Sequence, residues 1–568
     1  MYKSQMRFKS IFALLLCFLT LAVAFLPFYK GDAVTVKADA PKGEITVFSW
    51  EDYIEEGEND DEGVIADFMK EYPDVTVNYY SFATNEEMYN ELLKDPTAVD
   101  VICPSEYMIL KMREEGLIKP YTVPQNFVDY GSPYIKRVFD ELGLTTEDGK
   151  TYAVGYMWGT MGLIYDAEKF TDDDFNNWTE LYDPKFQGKI TIKDSLRDSY
   201  IMTVAIVYQD ELLALRSAYE NGTIEDYNSD GVKDGNDYTD KLFEIFNRTD
   251  AQTVDKVGDA LIELKKYLYG FEVDAGKNDL LSGKIDVNFA WSGDAVYSMW
   301  EGDEIGKELC YVVPDEGSNV WFDGWVMTKD ADEDASSAFI NFMSRPDIAV
   351  RNMDYVGYTS CVAGEEVFEY VTDTFGAEYL PEATLTAEEY SKLSDSQKED
   401  YVLFDGGYAL SDDGYGRIIF DGETPYLECF TLNQDGSESV TETVELYAVD
   451  LKYFFDPDNT DGDYIVFSTE TNRHLYAQYA DEQTIMRCAV MDNFSVEDLE
   501  RVNEMWNKVK LITFSDLTIV LIVIGLAFLI ACAIVFKFRV KIFGDKIPES
   551  KPRRKIKNAT VIKVEKLN

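Results

Sequence analysis

The stretch Ile45-Thr46-Val47-Phe48-Ser49-Trp50-Glu51-Asp52-Tyr53-Ile54 is a short β-branched run that stops abruptly in two aromatic rings and two carboxylates. The run reads as a buried strand, and its end as the point where that strand surfaces into a cleft. Rings and acids at the carboxyl end of an early strand suit an organic cation. The carboxylates supply charge and hydrogen-bond acceptors, and the π faces supply cation–π contact and apolar walls. A surface strand end with a half-buried Trp fits the fragment equally well, so the rest of the chain must decide.

The chain has 568 residues, room for several domains, with 52 Lys plus Arg against 106 Asp plus Glu and a formal net charge of −54. Phosphate backbones demand a basic footprint, so this balance argues against nucleic-acid binding. An acidic surface attracts cations, and it also simply solubilises. Aromatic residues make up 14% of the chain, which implies a folded, ring-rich body rather than a disordered acidic tail. His474 is the one histidine. A Ser–His–Asp triad, a Cys–His pair or a multi-His metal site would have to use it, and it reads as an ordinary surface or half-buried residue. Cys17, Cys103, Cys310, Cys361, Cys429, Cys488 and Cys532 show no C-x-x-C spacing. This argues against a zinc cluster or a dense disulfide scaffold and leaves one or two disulfides open.

Residues 1–40 combine an early basic patch (Lys3, Arg7, Lys9) with an apolar stretch at 11–28, and read as a signal peptide or N-terminal anchor. A second apolar stretch without charge, 517–536, is long enough to span a bilayer, so residues 515–537 are expected to form a transmembrane helix. Residues 538–568 are rich in Lys and Arg and are expected to stay in the cytoplasm. The acidic body between the two stretches is then extracellular or periplasmic.

That body alternates strand-like pieces (45–48, 75–80, 99–103, 189–192, 287–290) with helical patterns such as 64–71 and 85–94. The alternation predicts an α/β fold with mostly parallel strands, whose ligands sit beyond the carboxyl ends of strands. Aromatics recur there beside acids or hydroxyls. Examples are Ser105-Glu106-Tyr107 after the third strand, and Tyr156-Met157-Trp158-Gly159-Thr160 after a strand-like 152–155. Asp194-Ser195-Leu196-Arg197-Asp198, Trp291-Ser292-Gly293-Asp294 and Trp321-Phe322-Asp323-Gly324 continue the pattern.

Taken in order, Phe48-Ser49-Trp50-x-x-Tyr53, Pro104-Ser105-x-Tyr107, Tyr156-x-Trp158-Gly159, Arg197-Asp198, Trp291, Trp321-x-Asp323, Arg345-Pro346-Asp347 and Gly357-Tyr358 resemble the spermidine/putrescine-binding proteins of ABC importers over about residues 44–365. The resemblance implies a two-lobed periplasmic-binding-protein (type II) fold with hinge crossovers. Lobe 1 would be 44–155 with about 324–365, and lobe 2 would be 156–323 with about 486–510. It implies that Trp50, Tyr53, Ser105, Tyr107, Asp198, Trp291, Trp321, Asp323 and Tyr358 contact the ligand, Asp323 holding a secondary or terminal amine and Asp198 a terminal one. The chain departs from the family where Ser195 stands in place of a further acid, which leaves ligand length open. Asn507 is a candidate for the family's terminal Gln contact.

Residues 226–237 depart from that family and fit D-x-N-x-D-G-x-x-D-x-x-D. Oxygen ligands from Asp226, Asn228, Asp230, Asp234 and Asp237, with the Val232 carbonyl and a sharp turn at Gly231, match a Ca²⁺ loop similar to those of dockerins. An acidic Gly/Asn-rich turn is the alternative. Residues 385–485 form a family-atypical insertion with strand candidates at 417–420 and 464–467 and a turn at 411–414. The expected function is capture of polyamine outside the cell, without catalysis or an organic cofactor, and delivery to an ABC permease. No G-x-x-x-x-G-K-[ST] motif occurs, so the ATPase would be a separate subunit. A binding protein for another small solute and a carboxylate-dependent cell-surface glycosidase are the alternatives.

Overall fold

β1 (Gly43–Trp50) buries Ile45, Val47 and Ser49 on one face, while Thr46, Phe48 and Trp50 on the other are only half covered. It pairs in parallel with β2 (Val75–Phe82) on one side and β3 (Val101–Ile102) on the other. The crossovers are helices, α1 (Gly63–Glu71) and α2 (Asn85–Lys94), the latter capped by Thr84, whose Oγ1 accepts the Glu87 N–H at 3.1 Å. α3 (Glu106–Glu114) follows β3 directly. In this computed structural model the residues described are 40–57, 62–229, 231–377, 385–398, 401–404, 407–410, 414–469, 473–511, 529–530 and 533.

Two long strands cross the middle of the molecule. β4 (Val154–Asp166) is buried at every position. Its neighbours are β7 (Val287–Trp291), β8 (Leu309–Val312), β9 (Val320–Thr328) and β10 (Thr359–Ser360), all antiparallel to it. β7 continues in parallel to β5 (Ile190–Lys193) and on to β6 (Leu268–Glu272). The result is an 11-stranded mixed sheet ordered β2-β1-β3-β9-β4-β7-β5-β6, with β8, β10 and Ile118–Lys119 as side branches. Parallel triplets lie at both ends, β2-β1-β3 and β7-β5-β6, and the antiparallel β9 and β4 join them.

The α/β class holds, with two corrections. The strands are not mostly parallel across the sheet, because its centre is antiparallel. Tyr156 to Thr160 do not follow a strand but lie inside β4. That strand is bonded along both edges and covered on both faces, so it carries no period-2 alternation to mark its length. Phe322 and Asp323 likewise sit within a strand rather than at its end.

Within residues 385–485 the strand Gly414–Asp421 pairs with Thr424–Leu432, and that with Glu438–Glu445. A small core of Val402, Ala409, Tyr415, Phe430 and Leu432 supports them. The expected strands at 417–420 and 464–467 fall in or on Gly414–Asp421 and Ile465–Ser468, while 411–413 lie outside the described residues. The segment beyond is tied to the body: Ser132 Oγ donates to the Phe454 carbonyl (2.8 Å) and Thr359 Oγ1 to that of Gln478 (2.6 Å).

Contact density divides the chain into residues 1–248 with 267–493, and 249–266 with 494–568. In the second unit, helices Ala251–Leu264 and Val496–Lys510 pack together, and Lys265 Nζ reaches the Val509 carbonyl at 2.6 Å. Asn507 belongs to this unit. Cys103, Cys310, Cys361, Cys429 and Cys488 are all free thiols, so the five described cysteines form no disulfide. No described helix is long and apolar enough to cross a membrane. The apolar stretches at 11–28 and 517–536 lie outside the described residues, apart from Leu529, Ile530 and Ala533.

Candidate functional site

The chain turns at Asp52, whose φ of 51° is a left-handed value that Asp tolerates better than most residues. The turn leaves Glu51 and Asp52 in solvent and puts Tyr53 in the interior. There the Tyr53 hydroxyl donates to Asp323 Oδ2 at 2.7 Å. Asp323 sits on β9 where its register with β4 slips before Gly324, a bulge that re-aims the side chain. Its Oδ1 accepts the Ser105 hydroxyl, also at 2.7 Å, and Ser105 and Asp323 form a bridge pair between the end of β3 and β9. Asp323 is 5% exposed. Burial pushes its carboxyl up to about 7 despite the two hydroxyl donors, and no cation of the described residues contributes.

Aromatic rings enclose this carboxylate. Tyr358 stands edge-on to Tyr53 (5.8 Å between ring centroids) and to Trp321 (5.2 Å), and Tyr156 backs Tyr53 at 5.3 Å. Beneath them Glu106 opens α3. Its Oε2 accepts the Phe322 N–H at 3.0 Å, its Oε1 is buried without a partner, and burial pushes its carboxyl up to about 8. Glu106 is thus mainly protonated at neutral pH and adds no charge beside Asp323.

Two flanks extend the cluster. On one, the Tyr107 hydroxyl accepts from Asn85 Nδ2 (3.0 Å) and donates to Glu86 Oε1 (3.2 Å), and the Arg197 guanidinium lies 3.9 Å over the Tyr107 ring. Asp198 occupies the first turn of α4 (Leu196–Val207), where Ser195 Oγ caps its N–H at 3.3 Å. Burial raises the Asp198 carboxyl, against the pull of the Ser195 hydroxyl, Lys193 and Arg197. On the other flank, the Tyr358 hydroxyl reaches Asp294 Oδ1 at 3.3 Å, in the first turn of α5 (Ser292–Glu304). Asp294 Oδ2 meets Lys193 Nζ at 3.1 Å, and that ammonium lies 4.2 Å from the centre of the Trp291 ring. The arrangement can hold a cation: one buried carboxylate without a cation of its own, walled by rings.

A family profile described as bacterial extracellular solute-binding protein matches residues 63–366, more than half of the chain. The chain belongs to this family. Among its relatives is the spermidine/putrescine-binding periplasmic protein of Escherichia coli (strain K12), 24% identical over 316 residues, or 55% of this chain and 75% of the relative. A putrescine-binding periplasmic protein of the same organism is 23% identical over 330 residues, 55% of this chain and 76% of that one. A solved structure described as a putative spermidine/putrescine ABC transporter from Listeria monocytogenes shares 22% identity, covering 82% of this chain and 99% of its own at a TM-score of 0.49. The two Escherichia coli relatives are binding proteins of the periplasm.

Of the residues expected in the site of this solute-binding protein, Tyr53, Ser105, Trp321, Asp323 and Tyr358 come together directly. Tyr107 and Asp198 lie on one flank and Trp291 on the other. Trp50 is the exception. Its ring packs against Phe82 at 4.8 Å and its indole N–H has no partner among the described residues. Sequence reading quoted Glu106 and Asp294 beside their aromatics without giving them a role, and it missed Lys193 and Glu272, whose Oε1 lies 3.2 Å from the Lys193 ammonium. A lysine closing the apolar strand Ile190-Thr191-Ile192-Lys193 was the available signal for one of them, because a buried lysine requires partners. His474, half-buried, stacks on Trp300 (6.1 Å) and Phe375 (6.2 Å), and burial lowers it to about 4. Its Nε2 lies 3.6 Å from Asp303 Oδ2.

In the loop at 226–237, Asp237 accepts the Tyr227 and Asn228 N–H groups on Oδ1 (2.6 and 3.1 Å) and the Asp234 N–H on Oδ2 (3.1 Å). Asp230 lies outside the described residues, and among those described no three acidic, His or Cys side chains gather to hold a metal ion. Elsewhere, a concavity of about 260 Å³ lined by Asp172, Phe175, Tyr311, Tyr476, Asp481 and Arg487 shares no residue with the Asp323 cluster.

Proposed function

We propose that this solute-binding protein captures a polyamine, of the spermidine and putrescine class named for its relatives, and hands it to a separate ABC permease and ATPase. The observation that carries the reading is Asp323. A carboxylate this buried is costly unless paired, yet it is held by two hydroxyls and no internal cation. An ammonium group would complete it, and Tyr53, Trp321 and Tyr358 would cover the methylenes beside it. A sugar would satisfy the hydroxyls and rings but leave the charge unmatched.

The two parallel triplets would belong to the two lobes, with β4 and β9 as hinge strands, and closure would follow from a ligand that touches both. The apolar stretch 517–536 with its basic flank would hold the body at the outer membrane face, raising its local concentration near the permease. Thermal-shift measurements on the full-length chain test the ligand class. At 100 times Kd a polyamine should stabilise the fold by about 2.7 kcal/mol and raise Tm, while glucose should not. No shift with any amine would overturn the reading.

The loop at 226–237 is read as a structural Ca²⁺ site. Gly231 takes φ of 87° at the sixth position, and Asp226 Oδ2 accepts its N–H at 3.1 Å, the sharp turn such a loop needs. Calorimetric heat with Ca²⁺ that Asp226→Ala abolishes would support it. A silent titration would reduce the loop to an acidic turn.

A further inference from the structure

Lys193 ends β5 with 1% of its surface exposed. Its ammonium sits in a complete cation site made by the protein itself. Glu272 Oε1 lies at 3.2 Å, Asp294 Oδ2 at 3.1 Å, the Val273 carbonyl at 2.9 Å and the Trp291 ring centre at 4.2 Å. Two carboxylates, a carbonyl and an indole face are what a buried ligand ammonium would require. The site is continuous with the cluster around Asp323: Asp294 accepts the Tyr358 hydroxyl, and Tyr358 packs on Tyr53, which holds Asp323.

The acids on this flank have no capacity left. Asp294 Oδ1 faces a second ammonium, Lys277 Nζ, at 3.4 Å. Burial alone would raise the Asp294 carboxyl, but Lys193 and Lys277 outweigh it and hold it below the usual range. Glu272 also accepts the Gly276 N–H (2.9 Å) and Asn288 Nδ2 (3.1 Å). Lys277 also pairs with the exposed Asp274 at 2.7 Å, so the buried part of the network, Glu272 and Asp294 against Lys193 and Lys277, is balanced. A further ammonium brought to this end would add charge to that balanced, buried pair of acids, and an uncompensated buried charge is strongly unfavourable. Of the other buried acids in the cluster, Glu106 is pushed up by burial, Asp323 has only hydroxyl partners, and Asp198 is raised by burial against the pull of the Ser195 hydroxyl, Lys193 and Arg197.

We propose that Lys193 is a resident cation that occupies one amine position of the site, so that the ligand is a diamine held by Asp323 and Asp198 rather than a triamine. The inference rests on the polyamine reading above and sharpens it to a charge count. Lys193 sets specificity by excluding the third ammonium.

Calorimetric titration of the full-length chain with putrescine and with spermidine tests it. The wild type should bind putrescine at least tenfold more tightly than spermidine. Lys193→Met keeps the aliphatic stem and removes the charge, leaving Glu272 and half of Asp294 open, and should shift that ratio at least tenfold toward spermidine. The double variant Lys193→Met/Glu272→Gln restores the wild-type charge balance and should return the ratio toward the wild-type value. A folded Lys193→Met with the wild-type ratio overturns the assignment to Lys193 and leaves the polyamine reading standing. Should Lys193→Met not fold, the wild type still decides: spermidine bound as tightly as putrescine, or more so, overturns the proposal. A wild type that binds neither amine overturns the polyamine reading and this inference together.

Discussion

Asp323 concentrates the physics of the site in one side chain. Its ordinary value of 3.8 becomes about 7 because burial penalises the charged form more than Tyr53 and Ser105 favour it. Between those values the native apoprotein keeps a proton that the unfolded chain has lost. The associated stability is therefore present in acid and lost as pH rises through 7, on the order of 4 kcal/mol in all. A bound ammonium favours the ionised carboxylate, so ligand affinity has the opposite slope. Calorimetry should show polyamine affinity rising up to about tenfold from pH 6 to pH 8, with the upper part of the rise shared by Glu106 near 8. An affinity that falls over this range would contradict the role given to Asp323. Asp323→Asn keeps the shape without the charge. It should raise the apoprotein Tm at pH 8 and cost about 2–5 kcal/mol of amine binding, the usual range for removing one partner of a buried charge pair. Asp323 was legible in the sequence because an acid two residues after Trp321 stands out. Its bulge, its mid-strand position and its lack of a cation were not, since they depend on which strands flank it. The contact of Lys193 with Asp294 was hidden for a related reason: 101 positions separate them, and only the pairing of β5 with β7 brings them together.

At the scale of elements, the aromatic wall stands where it does because two glycines let it. Gly159 on β4 lies under Trp321, where an added Cβ would come within 2.8 Å of the indole Cζ2. Gly293, in the first turn of α5, lies under Tyr358, and an added Cβ would overlap that ring. Gly293→Ala should therefore displace Tyr358, lower stability by about 1–3 kcal/mol as overpacked sites do, and weaken amine binding at least tenfold. Gly270→Ala on β6, with open space around it, should leave binding unchanged. Equal affinities for the two variants would show that Tyr358 is not part of the ligand wall. The element pattern explains what could be read beforehand. β1, β2 and α2 were legible because each is short, has a clear period and is bounded by turn or cap residues. β4 was not, because thirteen consecutive buried positions contain neither alternation nor a break. The antiparallel centre of the sheet followed from it, since β4 and β9 find each other over a separation of more than 150 residues.

For the molecule as a whole, the formal net charge of −54 would act on the approach of the proposed cationic ligand rather than on its final contacts. Diffusing dications are drawn toward the acidic surface over distances set by salt, with a screening length of about 10 Å at 0.1 M and 3 Å at 1 M. Asp323, by contrast, lies inside the fold with 5% of its surface exposed, where mobile ions screen it little. Surface steering and buried pairing therefore separate kinetically. Stopped-flow titration with putrescine, followed by tryptophan fluorescence because Trp321 lines the cluster, should show the association rate falling roughly tenfold or more between low and high salt. The dissociation rate should change little over the same range, because leaving requires breaking the buried contacts. Asp323→Asn should show the reverse pattern, with a faster dissociation rate and an association rate that keeps its salt slope. If salt acted on dissociation instead, the cation would be held by exposed acids, and the buried carboxylate beneath the aromatic wall would not be where it binds.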